Sequence, residues 1–285
     1  MILPLCLASA ALALVFGARP ARSEEDSRQG IRMACLNVGK GDAVLLCLEG
    51  RSYLVDTGYK RTWKRLKALL DREGVRRLDG VFITHPHKDH MGALEKLLQS
   101  SIRVGAVYAP ALSQMGCGAA HPAVAAAAGA GMQVRFLEAG SLVSAAPEAY
   151  FEVLGPVTLN TENENNNSLV LRLVSPDGVI LLTGDMKAEE EFSLLRAGLL
   201  SPCDVLKVPF HGKAGACTAA FLKAVHPKLS VISTSSKEEK DTPAKETLSR
   251  LASAGSKTVV TQSAPLAVLV ILKNRKTAVR LISGE

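Results

Sequence analysis

The sequence predicts an α/β fold in which two similar sheets pack face to face. Three observations carry that expectation: strand-length apolar runs alternate with helical segments, they fall into two strand-rich halves, and each half ends in His and Asp residues at a strand-to-helix turn. The chain has 285 residues, 47% hydrophobic and 21% charged, which is enough apolar material for a substantial core and excludes extended disorder. No Pro/Gly/Ser linker or charge block divides it after about residue 30, so one domain is expected over 30–285.

In the first half, strands are expected at 31–36, 43–48 and 51–55, the first two joined by the turn-forming Val38-Gly39-Lys40-Gly41-Asp42. A helix follows at about 61–74, where Trp63, Leu66, Leu69 and Leu70 recur at helical spacing. A strand at 80–84 then runs into a His-rich loop, with a helix at about 91–99. The stretch 104–150 offers a short strand near 105–108 and an Ala-rich helix at about 121–130. In the second half, strands at 150–154, 168–174 and 178–183 end at Gly184-Asp185 before a helix at 187–197, and a strand at 204–209 delivers His211. Helices at 216–225 and 243–254, a strand at 229–233, and strands near 257–260, 265–272 and 277–282 complete the pattern.

Residues 2–17 form an uncharged apolar run, shorter than the ~20 residues that span a bilayer. Ala21-Arg22-Ser23 behind it has the small-x-small form of a cleavage site, so residues 1–23 read as a secretory signal, with a retained membrane anchor as the alternative. The absence of Lys or Arg ahead of the run counts against a signal. Export of a bacterial protein to the periplasm or medium follows as the expectation. Cys35, Cys47, Cys117, Cys203 and Cys217 remain after such cleavage, without CxxC spacing, which excludes a zinc finger. Cys35 and Cys47 on neighbouring strands are compatible with a disulfide or with two buried thiols.

The formal charge is +7, and Lys60, Arg61, Lys64, Arg65, Lys67, Arg72, Arg76 and Arg77 crowd the segment 60–77 against only Asp71 and Glu73. On an amphipathic helix those charges form either a solvated face or a surface for a polyanion such as nucleic acid.

The densest chemistry is Thr84-His85-Pro86-His87-Lys88-Asp89-His90, three imidazoles and a carboxylate within six residues after an apolar strand. Imidazole with carboxylate suits Zn²⁺, and the carboxylates leave Mn²⁺ or Fe²⁺ open. His85 and His87 alternate along extended chain and can hold one metal, while Asp89 and His90 start the next turn and can reach a second. His121 and His226 stand apart from this cluster.

The HxHxDH pattern resembles the signature of the metallo-β-lactamase superfamily. The resemblance narrows to the extracytoplasmic hydrolase domain of ComEC-type competence proteins and its free-standing relatives. Further segments carry it: Leu36-Asn37-Val38-Gly39-Lys40-Gly41-Asp42-Ala43, Leu54-Val55-Asp56-Thr57-Gly58, Asn165-Asn166-Asn167-Ser168-Leu169-Val170, Leu181-Leu182-Thr183-Gly184-Asp185 and Leu206-Lys207-Val208-Pro209-Phe210-His211-Gly212. It implies a four-layer αββα sandwich holding one or two divalent ions, with His85 and His87 on the first, Asp89, His90 and His211 on the second, and Asp185 bridging. Asp89, Asp185 and His211 would be catalytic through metal-activated water, and Asp56 would brace the His loop. Asp42, Asn167, Ser168 and Lys213 would support the ligands or bind substrate.

Three departures qualify the likeness. Asn165, Asn166, Asn167 and Ser168 occupy the region where many superfamily hydrolases carry another His, which weakens the first site or suits it to a harder metal. Phe210 and Lys213 replace the His and Ser usual beside His211, and Thr242-Pro243 replaces a His-Pro. The resemblance implies a metal-dependent phosphodiesterase or nuclease. The alternatives are hydrolysis of a small or cell-envelope ester, such as a phosphorylcholine ester, and a nucleic-acid-binding protein with a degraded metal site.

Overall fold

Period-two alternation sorts the side chains of the opening strand between two apolar layers. In β1 (Ile31–Leu36), Ile31, Met33 and Cys35 enter one layer while Ala34 and Leu36 enter another. The computed structural model describes residues 30–114 and 121–284, so the proposed signal segment 1–23 and Cys117 lie outside the described residues.

The strands that follow are β2 (Val44–Leu48), β3 (Arg51–Val55), β4 (Arg77–Leu78), β5 (Gly80–Phe82), β6 (Arg103–Val104), β7 (Val107–Pro110) and β8 (Val134–Leu137). Then come β9 (Leu142–Ala146), β10 (Ala149–Gly155), β11 (Val170–Ser175), β12 (Gly178–Leu182), β13 (Val205–Lys207), β14 (Leu229–Ile232) and β15 (Lys257–Val260). The last two are β16 (Ala267–Lys273) and β17 (Lys276–Ile282). The first sheet has the order β17-β16-β1-β2-β3-β5-β7-β8 and the second β15-β14-β13-β12-β11-β10-β9, while β4 and β6 form a small parallel pair.

Helices cover the outer faces. On the first sheet lie α1 (Trp63–Arg72), α2 (Lys88–Met91), α3 (Leu94–Leu98) and α4 (Pro122–Ala128), with Leu66, Leu69, Leu70, Leu94, Leu97 and Ala123 buried against Leu45, Leu54 and Val81. On the second lie α5 (Ala188–Arg196), α6 (Ala219–Val225) and α7 (Lys245–Ser253), which bury Leu194, Phe221, Leu222 and Leu251 against Leu181 and Leu206. Between the sheets, Tyr53 and Phe82 meet Phe151 with ring centroids 5.1 and 4.8 Å apart. Three apolar layers separating four structural layers make the αββα sandwich.

Several expectations need correction. β16 and β17, which follow the second half in sequence, join the first sheet; β16 pairs antiparallel with β1 from Ile31–Leu272 to Leu36–Ala267. The helix expected at 91–99 is confined to Leu94–Leu98, behind a separate short helix at Lys88–Met91, with the break at Ala93, φ −98° and ψ 5°. Residues 134–146, unassigned from sequence, form the edge strands β8 and β9, whose half-exposed positions weaken the apolar pattern. Cys35 and Cys47 are free thiols: Cys35 lies opposite Val44 and Cys47 opposite Arg32, and they face different layers. Burial pushes the Cys35 thiol up to about 12 and that of Cys47 to about 11.

Candidate metal centre

The site lies where both sheets present the carboxyl ends of their strands, as is usual for α/β sheets. β1 leads to Asp42, β3 to Asp56, β5 to Thr84 and His85, β12 to Asp185, β13 to His211 and β14 to Ser233. Two glycines allow the loops to approach. A Cβ at Gly41, φ 120°, would sit 2.5 Å from the Asp89 carbonyl oxygen, and one at Gly184, φ 50°, would sit under 3.0 Å from both Ser168 and Thr84. Phe210 and His211 both hold left-handed backbone, φ 50° and 53°, a strained conformation that turns the His211 ring inward.

Hydrogen bonds to the outer ring nitrogens set the tautomers. His90 Nδ1 lies 2.7 Å from Asp56 Oδ2, and His211 Nδ1 lies 3.0 Å from the Ser233 carbonyl oxygen, so each Nδ1–H donates and leaves the Nε2 lone pair facing inward. Thr84 donates its hydroxyl proton to Asp56 Oδ2 at 2.7 Å and can only accept from His85 Nδ1 at 3.1 Å. The Ser168 hydroxyl oxygen accepts from the Asp185 N–H at 3.1 Å and stands 3.3 Å from His85 Nδ1. His85 Nε2 is thus left with its lone pair, 3.0 Å from His87 Nδ1.

Asp185 Oδ1 lies 3.4 Å from His90 Nε2, and its Oδ2 lies 3.1 Å from His211 Nε2. Two ligand atoms sharing a tetrahedral cation at about 2 Å stand about 3.3 Å apart, so these spacings fit a metal. One ligand atom each from Asp42, His90, Asp185 and His211 all lie within 4.8 Å of one another. Among the described residues, His90 Nε2, His211 Nε2, Asp185 Oδ1 and Asp42 Oδ1 are buried without a hydrogen-bond partner, a costly arrangement that a cation would relieve. The donor set therefore fits a divalent ion.

Burial opposes charge on His90, but without a cation Asp185 and Asp56 outweigh it and hold its pKa well above the usual imidazole range, so the Nε2 lone pair is taken by a proton that a bound metal would displace. Burial would raise Asp185, yet His211 and His90 keep it well below the carboxylate range. His85, buried beside other imidazoles, is pushed well down and stays neutral.

A model of the metallo-β-lactamase superfamily matches residues 36–236. The chain belongs to the metallo-β-lactamase superfamily. Within it, the chain is similar to ComE operon protein 3 of Bacillus subtilis, 27% identical over 70% of this chain and 27% of that protein. It is also similar to competence protein ComA of Neisseria gonorrhoeae, 30% identical over 69% of this chain and 26% of that one. The chain thus spans about a quarter of the length of these curated relatives. Among solved structures, CmlA, a diiron β-hydroxylase from Streptomyces venezuelae, superposes with a TM-score of 0.57 at 15% identity, over 79% of this chain and 52% of that one. The metallo-β-lactamase fold protein YhfI from Bacillus subtilis superposes at 0.51 and 13% identity, over 81% and 95%. Such distant likeness shows the fold alone.

The superfamily motif residues take distinct places. His85, His90, Asp185 and His211 are buried together, while His87 stands at the exposed mouth. Asp89 is buried between the mouth and the centre, its Oδ2 3.7 Å from His211 Nε2 and 3.8 Å from Lys40 Nζ. Asp42 occupies the deeper position beside His90 and His211. Asn167 is consumed by its own loop, accepting from the Asn160 N–H at 2.8 Å and donating to the Asn160 carbonyl and Glu164, so it ties the loop rather than reaching the centre. Lys213 and Lys187 flank the Phe210 ring, their Nζ 5.1 and 5.7 Å from its centroid. His121 caps α4 by accepting from the Ala123 N–H, away from the centre.

Sequence reasoning gave no role to Lys207, Thr84 or Ser233. Lys207 is fully buried with its ammonium 2.7 Å from Asp42 Oδ2 and donating to the Val208 carbonyl at 3.0 Å. Its signal was a lone charge inside the apolar run Val205-Leu206-Lys207-Val208. On the rim, Lys40 and Lys213 both meet Glu239, and Arg61 meets Glu238.

Proposed function

We propose that this metal-dependent hydrolase is a phosphodiesterase acting on nucleic acid or a related polyanion. The observation that carries the reading is the set of inward-facing unpartnered atoms on Asp42, His90, Asp185 and His211, with Lys40 beside Asp89 and with Lys187 and Lys213 around the ring of Phe210, the neighbour of His211. A zinc or manganese ion bound there supplies Lewis acidity and activation of water. The chain's own groups do the rest. Asp56, Thr84, Ser168 and Ser233 hold the imidazoles in one tautomer and orientation. Asp89, between the mouth and the centre, can take a proton from an attacking water, and the rim lysines can hold a negatively charged phosphoryl group.

The competence-protein relatives support a nucleic-acid substrate, and the basic segment 60–77 supports a polyanion. Export rests on the apolar residues 2–17; among the described residues no helix is long and apolar enough to cross a membrane.

The test is hydrolysis of bis-p-nitrophenyl phosphate and labelled single-stranded DNA with Zn²⁺ or Mn²⁺, alongside Asp185→Ala. Metal-dependent cleavage lost in the variant is the expected result. Bound metal with turnover only of carboxylic or phosphorylcholine esters would replace the reading with ester hydrolysis.

A further inference from the structure

We propose that Lys40 and Lys213 form an anion subsite beside the metal centre, which takes a non-reacting phosphate of the substrate and whose place Glu239 holds in the unliganded chain. The inference rests on the polyanion reading above and adds a substrate contact outside the reacting group. Lys40 comes from the turn between β1 and β2, Lys213 from the segment just after His211, and Glu239 from the turn between β14 and α7. Glu239 Oε2 lies 3.1 Å from Lys40 Nζ and its Oε1 3.2 Å from Lys213 Nζ, so one carboxylate spans ammonium groups from two separate loops.

The position relative to the centre makes this more than a surface ion pair. Lys40 Nζ is also 3.8 Å from Asp89 Oδ2, and Lys213 follows His211 by two residues with its Nζ above the Phe210 ring. A cleft of about 650 Å³ opens on the Lys213 side of the pair, lined by Phe210, Lys213, Glu239 and Lys240, large enough for a nucleotide-sized group. The carboxylate is placed by its neighbour: Glu238 accepts two hydrogen bonds from Arg61 Nη2 at 2.8 Å and one from the Lys40 N–H at 3.1 Å, which pins the turn over Gly39.

A carboxylate and a phosphodiester each carry one negative charge and two acceptor oxygens, so exchanging one for the other leaves both lysines paired. The three side chains are 26–28% exposed, and ion pairs with that much access to water are weak enough for a polyanion to displace. Glu239 then swings towards solvent, and the substrate strand crosses the rim from the Lys40–Lys213 subsite to the centre.

The experiment measures binding of a fluorescein-labelled oligothymidylate 12-mer to the metal-stripped full chain by anisotropy, at two salt concentrations. Glu239→Gln is compared with Glu152→Gln, which makes the same charge change; Glu152 pairs with Arg172 on the neighbouring strand β11, and its ion pair involves neither Lys40 nor Lys213. Tightening by about 3- to 10-fold in Glu239→Gln, with less than about 2-fold in Glu152→Gln, is expected, and a steeper salt dependence should accompany it. Lys40→Gln with Lys213→Gln should weaken binding at least about 10-fold; if that pair fails to fold by thermal melting, the glutamate comparison decides alone. Equal effects of the two glutamate variants, or no binding by any form, overturn the subsite. This pattern without phosphodiester cleavage would remove the phosphodiesterase reading and leave the subsite, whereas cleavage indifferent to Glu239 would do the reverse.

Discussion

Asp56 controls the proton on His90 from behind the centre, and that single hydrogen bond of 2.7 Å decides whether Nε2 offers a lone pair or a hydrogen. In Asp56→Asn, an amide nitrogen facing Nδ1 would force that atom to accept and move the proton to Nε2, towards the cation. Zinc affinity should fall about 10- to 100-fold, read by competition with a chromophoric chelator, while far-ultraviolet circular dichroism stays native. Lys207 presents the opposite case, a residue valuable to stability. Lys207→Met would strand the buried Asp42 carboxylate and should cost about 3–5 kcal/mol in urea unfolding of the metal-free protein, and adding Asp42→Asn should recover most of the loss. The two residues differ in legibility for a physical reason. His85, His87, Asp89 and His90 announce themselves because they are dense in sequence, and Asp56 rides on a recognisable segment. Lys207 has its ion-pair partner in Asp42, from the far end of the chain, and that pairing exists only after both sheets have formed.

At the scale of elements, legibility followed the strength of the apolar pattern. The helix α1 is visible because Leu66, Leu69 and Leu70 repeat on one buried face, and β12 because Val179 to Leu182 is uninterrupted. β8 and β9 escaped notice because an edge strand buries little and needs few apolar residues. The first turn of α5 carries Glu189, Glu190 and Glu191, which reads as ordinary N-terminal charge, yet Glu190 and Glu191 are buried. Glu191 accepts from the Cys217 and Thr218 N–H groups at 2.6 and 2.8 Å and so ties α5 to the start of α6. Glu190 accepts from the Val157 N–H at 2.8 Å, and burial pushes its carboxyl up to about 7 from 4.5. Because the folded state holds this proton more tightly than the unfolded state, its contribution is full below about pH 4.5 and is lost as pH rises through 7. Glu190→Gln keeps an acceptor for Val157 and removes the titration. The variant should match the parent near pH 4.5 and be more stable by ~3 kcal/mol at pH 8, measured by denaturant melts across that range. A stability gap that does not change with pH would refute the assignment.

At the scale of the whole molecule, the two-sheet architecture was readable from the alternation of strands and helices, but the destination of the last two strands was not. Ala267 to Leu272 is apolar enough to sit in the middle of either sheet, and only pairing with β1 decides between them. That pairing closes the molecule: β16 buries Val268, Val270 and Leu272 in the layer between the sheets, alongside Met33, Phe151 and Leu173. Two variants separate loss of packing from loss of architecture. Phe151→Ala removes a ring that touches both Tyr53 and Phe82, and should cost about 3–5 kcal/mol while unfolding stays cooperative. Ending the chain after residue 265 should behave differently in kind. β1 would become an unprotected edge, its Ile31 to Leu36 backbone groups would lose their partners on β16, and the apolar side chains of Ile31, Met33 and Cys35 beside them would be opened to water. The truncated chain should show no cooperative transition in urea and should bind a hydrophobic dye, even though every residue of the metal centre is still present in its sequence. A sharp transition in that truncated chain would mean that β16 and β17 merely decorate the first sheet, and that the site is assembled without them.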